Sequence, residues 1–279
     1  MFASSLRSAC CRGPVVARSF SSTAATSAAE VKSLGVIGAG QMGLGIALVA
    51  AQKAQIPVTL VDSNQASLDK GLKFADKLLE KDVAKQRLTR EAADAARAVP
   101  EIIDLKQKIF SNLAQIAPKH AILATNTSLH LGVISTHFMN PVPVQKGVEI
   151  IRGLQTSQET MDTAIAFVQR MGKVASVSAD SPGFLANRIL MPYINESIIC
   201  LETGVGRRED IDNIMKTGTN VPMGPLVLAD FIGLDTCLSI MNVLHQETGD
   251  SKYRPAGLLR RMVDAGWLGK KSGKGFYDY

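Results

Sequence analysis

The chain has 279 residues, 46% of them hydrophobic and 20% charged, with a formal net charge of +6. That is enough for one large globular domain or two ordinary ones, and no uninterrupted apolar run is long enough to span a bilayer. Three of the positive charges, Arg7, Arg12 and Arg18, lie near the N-terminus, so the basic balance is no argument for a nucleic-acid partner.

Residues 1–30, MFASSLRSACCRGPVVARSFSSTAATSAAE, are rich in Arg and Ser and carry no acid before Glu30. That composition predicts a disordered mitochondrial transit peptide, hence the mitochondrial matrix; a secretory signal would need a longer apolar centre. A tail with no targeting role is the other reading, and it too is left out of the fold. Cys10 and Cys11 go with this leader. Cys200 and Cys237 remain in apolar surroundings, without CxxC spacing or a His cluster, and read as reduced core residues; no metal site is indicated.

SLGVIG, residues 33–38, predicts a strand that runs into GAGQMGLG and a helix, IALVAAQKA. PVTLVD is a second strand, ending in Asp62. From Ser63 to about Val99 the pattern is helical, with Thr89 as a cap before LTREAADAARA. Pro100 breaks it, and IIDLKQKIFSNLAQIA is a further amphipathic helix. AILATN, GVISTHF and VEIIRGL predict strands, TSQETMDTAIAFVQRMG a helix, and KVASVSA a last strand. From Ser181 the chain turns nearly all-helical, placing a domain junction near residues 181–184. The expected organisation is 1–30 leader, 31–182 dinucleotide-binding α/β domain and 183–279 all-α domain.

Gly38, Gly40, Gln41, Met42 and Gly43 fill GxGxxG between a strand and a helix. Glycine permits the tight turn at Gly38, close backbone approach to a pyrophosphate at Gly40, and close strand–helix packing at Gly43. Asp62 ends the second strand 22 residues past Gly40. A carboxylate there accepts from adenosine ribose hydroxyls and repels a 2′-phosphate, which favours NAD over NADP. His137 and Glu149 are twelve apart in strands flanking a loop with Pro141 and Pro143. Antiparallel pairing would face them, and a carboxylate beside imidazole fixes its tautomer and makes a better base. From these residues alone, a structural histidine at a strand end is an equal reading.

GVIGAGQMGLGIA, NTS, HFMNPVP, DSPGFLANRI, VPMGPLVLADFIGLD and GKKSGKGFYDY, in this order, resemble the L-3-hydroxyacyl-CoA dehydrogenase family of fatty-acid β-oxidation. The resemblance covers nearly everything after the leader. It implies a Rossmann-type NAD domain and a helical domain that dimerises and closes over an acyl-CoA substrate. It implies His137 as catalytic base, Glu149 as its partner, and Ser128 and Asn187 as polar residues positioning substrate and cofactor. Glu101, Lys106, Asn140 and Lys271 match NAD-contacting positions. Lys85 matches a coenzyme A contact, although a solvated helix lysine is the plainer reading for it.

The family pattern is interrupted at two places. ADAARA passes straight into VPEII near residues 98–99, without the strands that belong between Asp62 and AILATN. Only LHLG, near residues 128–132, stands where a helix separates the NTS serine from the histidine strand. Neighbouring strands lie ~4.8 Å apart, so losing an inner strand opens a gap of ~10 Å unless AILATN moves against GVIGA. A parallel crossover needs about a dozen residues. The expectation is therefore an antiparallel hairpin of AILAT with GVIST, or a sheet broken at LHLG. The residues thus leave three outcomes: an NAD-dependent 3-hydroxyacyl-CoA dehydrogenase, an inactive splice or gene-model variant that only binds or dimerises, and a dehydrogenase of free 3-hydroxy acids.

Overall fold

The computed structural model describes residues 28–62, 64–85, 121–126 and 134–279. Strand β1 (Leu34–Ile37) leads through the glycine loop into helix α1 (Gln41–Val49), which continues as a π-helical turn, Ala50–Ala54. Strand β2 (Val58–Val61) follows and lies parallel to β1, in the register Val36↔Leu60. Helix α2 (Gln65–Ala84) buries Leu68, Ala75 and Leu79 on one face, the spacing of a single amphipathic stripe. The predicted helix 102–117 lies outside the described residues, as do the leader to residue 27 and the predicted helical stretch beyond Lys85.

A separate sheet holds β3 (Ala124–Thr125), β4 (Ile134–Phe138), β5 (Gly147–Arg152) and β6 (Val174–Ala179), in that order. Between β5 and β6 runs α3 (Gln158–Arg170), capped by Ser157, whose hydroxyl oxygen accepts from the Thr160 N–H at 3.1 Å. β4 and β5 are antiparallel and β5 and β6 parallel. Among the described residues no ladder joins β1 to β3, which fall in separate sheets. The two parts still share one core: Val36, Leu48 and Leu60 pack in the same buried cluster as Ile134, Phe138 and Val148.

The hairpin expectation fails. β3 pairs parallel to β4, with Ala124 opposite Ile134 and Thr125 opposite Ser135. Parallel alignment sends both strand ends the same way, which lets the Asn126 Oδ1 accept from the Phe138 N–H at 2.9 Å. An antiparallel β3 would carry Asn126 away from Phe138 and lose that bond.

The helical region contains α4 (Ala186–Glu202), α5 (Arg208–Gly218), α6 (Pro225–Ile232), α7 (Leu234–Thr248) and α8 (Gly257–Asp264). Its own core gathers Met191, Ile198, Leu226, Leu234, Met241 and Leu259. Cys237 is buried there as expected, whereas Cys200 is only half-buried; both are free thiols. No single helix among the described residues is long and apolar enough to cross a membrane.

Candidate active site

The glycine loop follows from backbone geometry. Gly38 has φ +107°, a conformation that side chains resist. A Cβ on Gly43 would sit 1.8 Å from the Gly38 carbonyl oxygen, so helix and strand touch there. A Cβ on Gly38 or Gly40, by contrast, would enter open space beside the start of α1. No side chain caps that helix and no acid lies in its first turn. Open space against uncapped helix N–H groups is what a pyrophosphate requires, so these residues fit a dinucleotide. Asp62 stands at the rim: its Oδ2 accepts from the Ala39 N–H at 2.7 Å and its Oδ1 from the Asn64 N–H at 2.9 Å. We expect Gly43→Ala to push α1 off β1, costing about 1–3 kcal/mol of stability. NADH affinity should fall at least about tenfold with it; a fluorescence titration beside a thermal melt checks both.

His137 and Glu149 are directly opposed in the antiparallel β4–β5 register, and His137 Nδ1 lies 2.7 Å from Glu149 Oε2. Backbone alternation puts both on the same sheet face. The carboxylate is almost fully enclosed while the imidazole keeps 19% exposure, enough to be reached. Glu149 Oε1 accepts from the Leu185 N–H at 2.8 Å and the Ala186 N–H at 2.9 Å. One carboxylate therefore grips the imidazole with one oxygen and the start of α4 with the other. Burial pushes its pKa up, but hydrogen bonds from His137, Ala186 and Leu185, with the charge of the imidazolium, outweigh burial and leave it lowered. The glutamate is thus an anion at neutral pH. Accepting from Nδ1–H, it leaves Nε2 as the basic nitrogen.

Other positions singled out from sequence are distributed around this pair. Asn187 lies in the first turn of α4, half-buried, one residue past Ala186. Asn140 is exposed three residues beyond His137, at a cis peptide to Pro141. Lys271 is bonded instead to Asp235, Nζ to Oδ1 at 2.6 Å, within the helical region. Lys85 is exposed just past α2. Ser128, Glu101 and Lys106 lie outside the described residues.

Two neighbours were not singled out. Phe184 places its ring 5.8 Å from the imidazole, from a backbone at φ +50° that a bulky residue rarely adopts. Asn126 fixes the end of β4 through Phe138. The signals were present in SPGF and NTS, but nothing in the linear order said that Phe184 would meet the imidazole or that Asn126 would hold the strand that carries it.

A glycine loop opening onto a helix start, an acid closing the second strand and a carboxylate-held histidine beside a helical domain define a nicotinamide-dinucleotide dehydrogenase. The chain belongs to the 3-hydroxyacyl-CoA dehydrogenase family. Residues 183–279 match the model of that family's C-terminal domain, and residues 33–98 and 95–181 match its NAD binding domain in two segments. The chain is 49% identical over 282 positions to a probable 3-hydroxybutyryl-CoA dehydrogenase of Bacillus subtilis, covering 90% of this chain and 98% of the relative. It is 36% identical over 302 positions to the mitochondrial hydroxyacyl-coenzyme A dehydrogenase of Homo sapiens, covering 94% and 96%. The crystal structure of (S)-3-hydroxybutyryl-CoA dehydrogenase from Ralstonia eutropha superposes with a TM-score of 0.83 at 40% identity, covering 90% of this chain and 99% of that one.

The alignments also measure what is missing. The 282 positions shared with the Bacillus protein use only 90% of 279 residues, about 250, so that relative carries about thirty residues where this chain has none. The division of the NAD-domain match at residues 95–98 falls at the break between ADAARA and VPEII.

Proposed function

We propose that this chain oxidises L-3-hydroxyacyl-CoA to 3-oxoacyl-CoA with NAD⁺ in the mitochondrial matrix, as a homodimer. The observation that carries the activity is the Nδ1–Oε2 contact of 2.7 Å between His137 and Glu149, with Glu149 anchored on α4. His137 Nε2 takes the proton of the substrate 3-hydroxyl. Glu149 holds the resulting imidazolium, a general-base contribution of about 10²–10⁴-fold. Asn187 and Ser128 hydrogen-bond the 3-oxo product, while Gly38, Gly40, Gln41, Met42, Gly43 and Asp62 hold the dinucleotide; family resemblance alone assigns Glu101, Lys106, Asn140 and, despite its bond to Asp235, Lys271 as its further contacts. NAD⁺, when bound, accepts the hydride from C3. Beside Glu149, a mostly apolar cleft of about 390 Å³, lined by Met139, Ile189, Leu190 and Tyr193, suits an acyl chain. Lys85 is assigned to coenzyme A by family resemblance alone.

The matrix location rests on the Arg- and Ser-rich leader and on the mitochondrial hydroxyacyl-coenzyme A dehydrogenases among its relatives. The dimer rests on an apolar groove between α4 and α5 holding Ile211 and Met215, where Val205 is 77% exposed and Ile214 63%. Sedimentation of the purified chain as a monomer at micromolar concentration would end the dimer reading.

The activity is tested by following NADH absorbance with 3-hydroxybutyryl-CoA, His137→Gln setting the background. Turnover no higher than that control would end the proposal. One observation favours a second reading: among the described residues no ladder joins β1 to β3. If the chain sediments as a dimer, binds no NADH and is silent, it is a dimerising subunit only. Faster turnover of free 3-hydroxybutyrate than of its CoA ester would assign the free acid as substrate.

A further inference from the structure

Lys173, between α3 and β6, is only 8% exposed, and no carboxylate among the described residues pairs with its ammonium. A buried cation is expensive unless hydrogen bonds replace its water. Here Nζ donates to two main-chain carbonyls of one turn, Val142 and, at 2.7 Å, Gln145. The same turn is closed from within, since the Val144 and Gln145 N–H groups both donate to the Pro141 carbonyl, at 3.0 and 2.9 Å. Its last residue is tied to the neighbouring strand, where the Val174 N–H donates to the Lys146 carbonyl at 2.8 Å.

This turn lies between the two halves of the site. It begins three residues after His137. Its Val142, 2% exposed, presses on α1 so closely that a Cβ on Gly45 would lie 2.8 Å from the Val142 Cβ. The turn therefore sets the spacing between the helix that follows the glycine loop and the strand that carries the histidine. We infer that Lys173 is a positioning residue, whose ammonium clamps the 140–146 turn and so holds His137 and the dinucleotide helix in register. Burial lowers its pKa, as expected of an ammonium held by carbonyls instead of a carboxylate. A misplacement of about 1 Å at a reacting centre can cost on the order of 10²-fold in rate, so a clamp of this kind matters beyond stability.

The inference rests on the dehydrogenase reading, and the test separates the two. The full-length chain is compared with Lys173→Met, which keeps most of the apolar stem, and Lys173→Gln, which keeps one donor group. Backbone hydrogen exchange of residues 139–147, needing no activity, should be about tenfold faster in Lys173→Met and intermediate in Lys173→Gln. Unchanged exchange there overturns the clamp. In steady-state kinetics kcat should fall and KM for NAD⁺ rise, each about tenfold or more, with KM for 3-hydroxybutyryl-CoA moving less than about twofold. Equal rises in both KM values, or a lowered melting temperature with unchanged kinetics, reduce Lys173 to a structural residue and overturn the inference. A silent parent chain overturns the dehydrogenase reading and the positioning role together, whereas a failure of Lys173 alone leaves parent turnover intact.

Discussion

Replacing Glu149 by Gln should lower kcat/KM about 10²- to 10⁴-fold while leaving KM for the acyl-CoA nearly unchanged. The substitution keeps volume and removes one charge. A glutamine that still accepts from the Leu185 and Ala186 N–H groups through its carbonyl must turn its NH₂ toward His137 Nδ1. That favours the tautomer with the proton on Nε2, where the basic nitrogen is needed, and leaves nothing to stabilise the imidazolium. The change also removes the anion at the start of α4, costing about 1–2 kcal/mol at neutral pH. The pH dependence has a definite sign. The folded-state pKa of Glu149 lies below its ordinary 4.5, so its ionisation stabilises the fold above that value, and the gain is lost as pH falls through the lower, folded-state pKa. The stability gap between parent and Glu149→Gln should hold from neutrality to about pH 5 and close below it. Chemical denaturation at a series of pH values reads the gap; one that widened in acid would contradict the anion.

The largest loss of stability is expected at Asp212, in α5. Its carboxylate, 4% exposed, accepts from the Leu226 N–H at 2.8 Å, the Val227 N–H at 3.2 Å and the Tyr277 hydroxyl at 2.7 Å. It thus caps α6 from another helix and pins the C-terminal tail. Burial, with the Asp212 hydrogen bond and charge, raises the Tyr277 hydroxyl far above its ordinary value, so it stays a donor. Asp212→Ala strands three donors, each orphan costing about 1–3 kcal/mol where water is excluded. Partial hydration of the tyrosine reduces the sum, to about 3–5 kcal/mol, or about 10 °C in melting midpoint. Asp212→Asn retains one acceptor and should lose about half as much. If Asp212→Ala melted with the parent, the two-sided cap would carry no weight in the fold.

Where the sequence carries a local rule, it was readable. Gly38 to Gly43 and Asp62 announce a nucleotide loop because turn geometry and helix N-termini are properties of neighbouring residues. The facing of His137 and Glu149 was readable on the condition that the two strands either side of the proline turn pair antiparallel, since period-2 alternation then fixes which side chains share a face. The direction of β3 was not readable in this way. A connection shorter than a usual crossover argued for a hairpin, but the strands pair parallel and the Asn126–Phe138 bond favours that arrangement.

By itself the sequence determined the family and the NAD-type loop, and named the histidine and glutamate that antiparallel strands would pair. All of these depend on residue type and spacing. Tertiary structure alone decided that Glu149 also holds the first turn of α4, that Lys271 pairs with Asp235, and that Lys173 clamps the turn beside the histidine. Each of these bonds closes a separation of about thirty residues or more, and at that distance only the packing of the whole chain selects the partner.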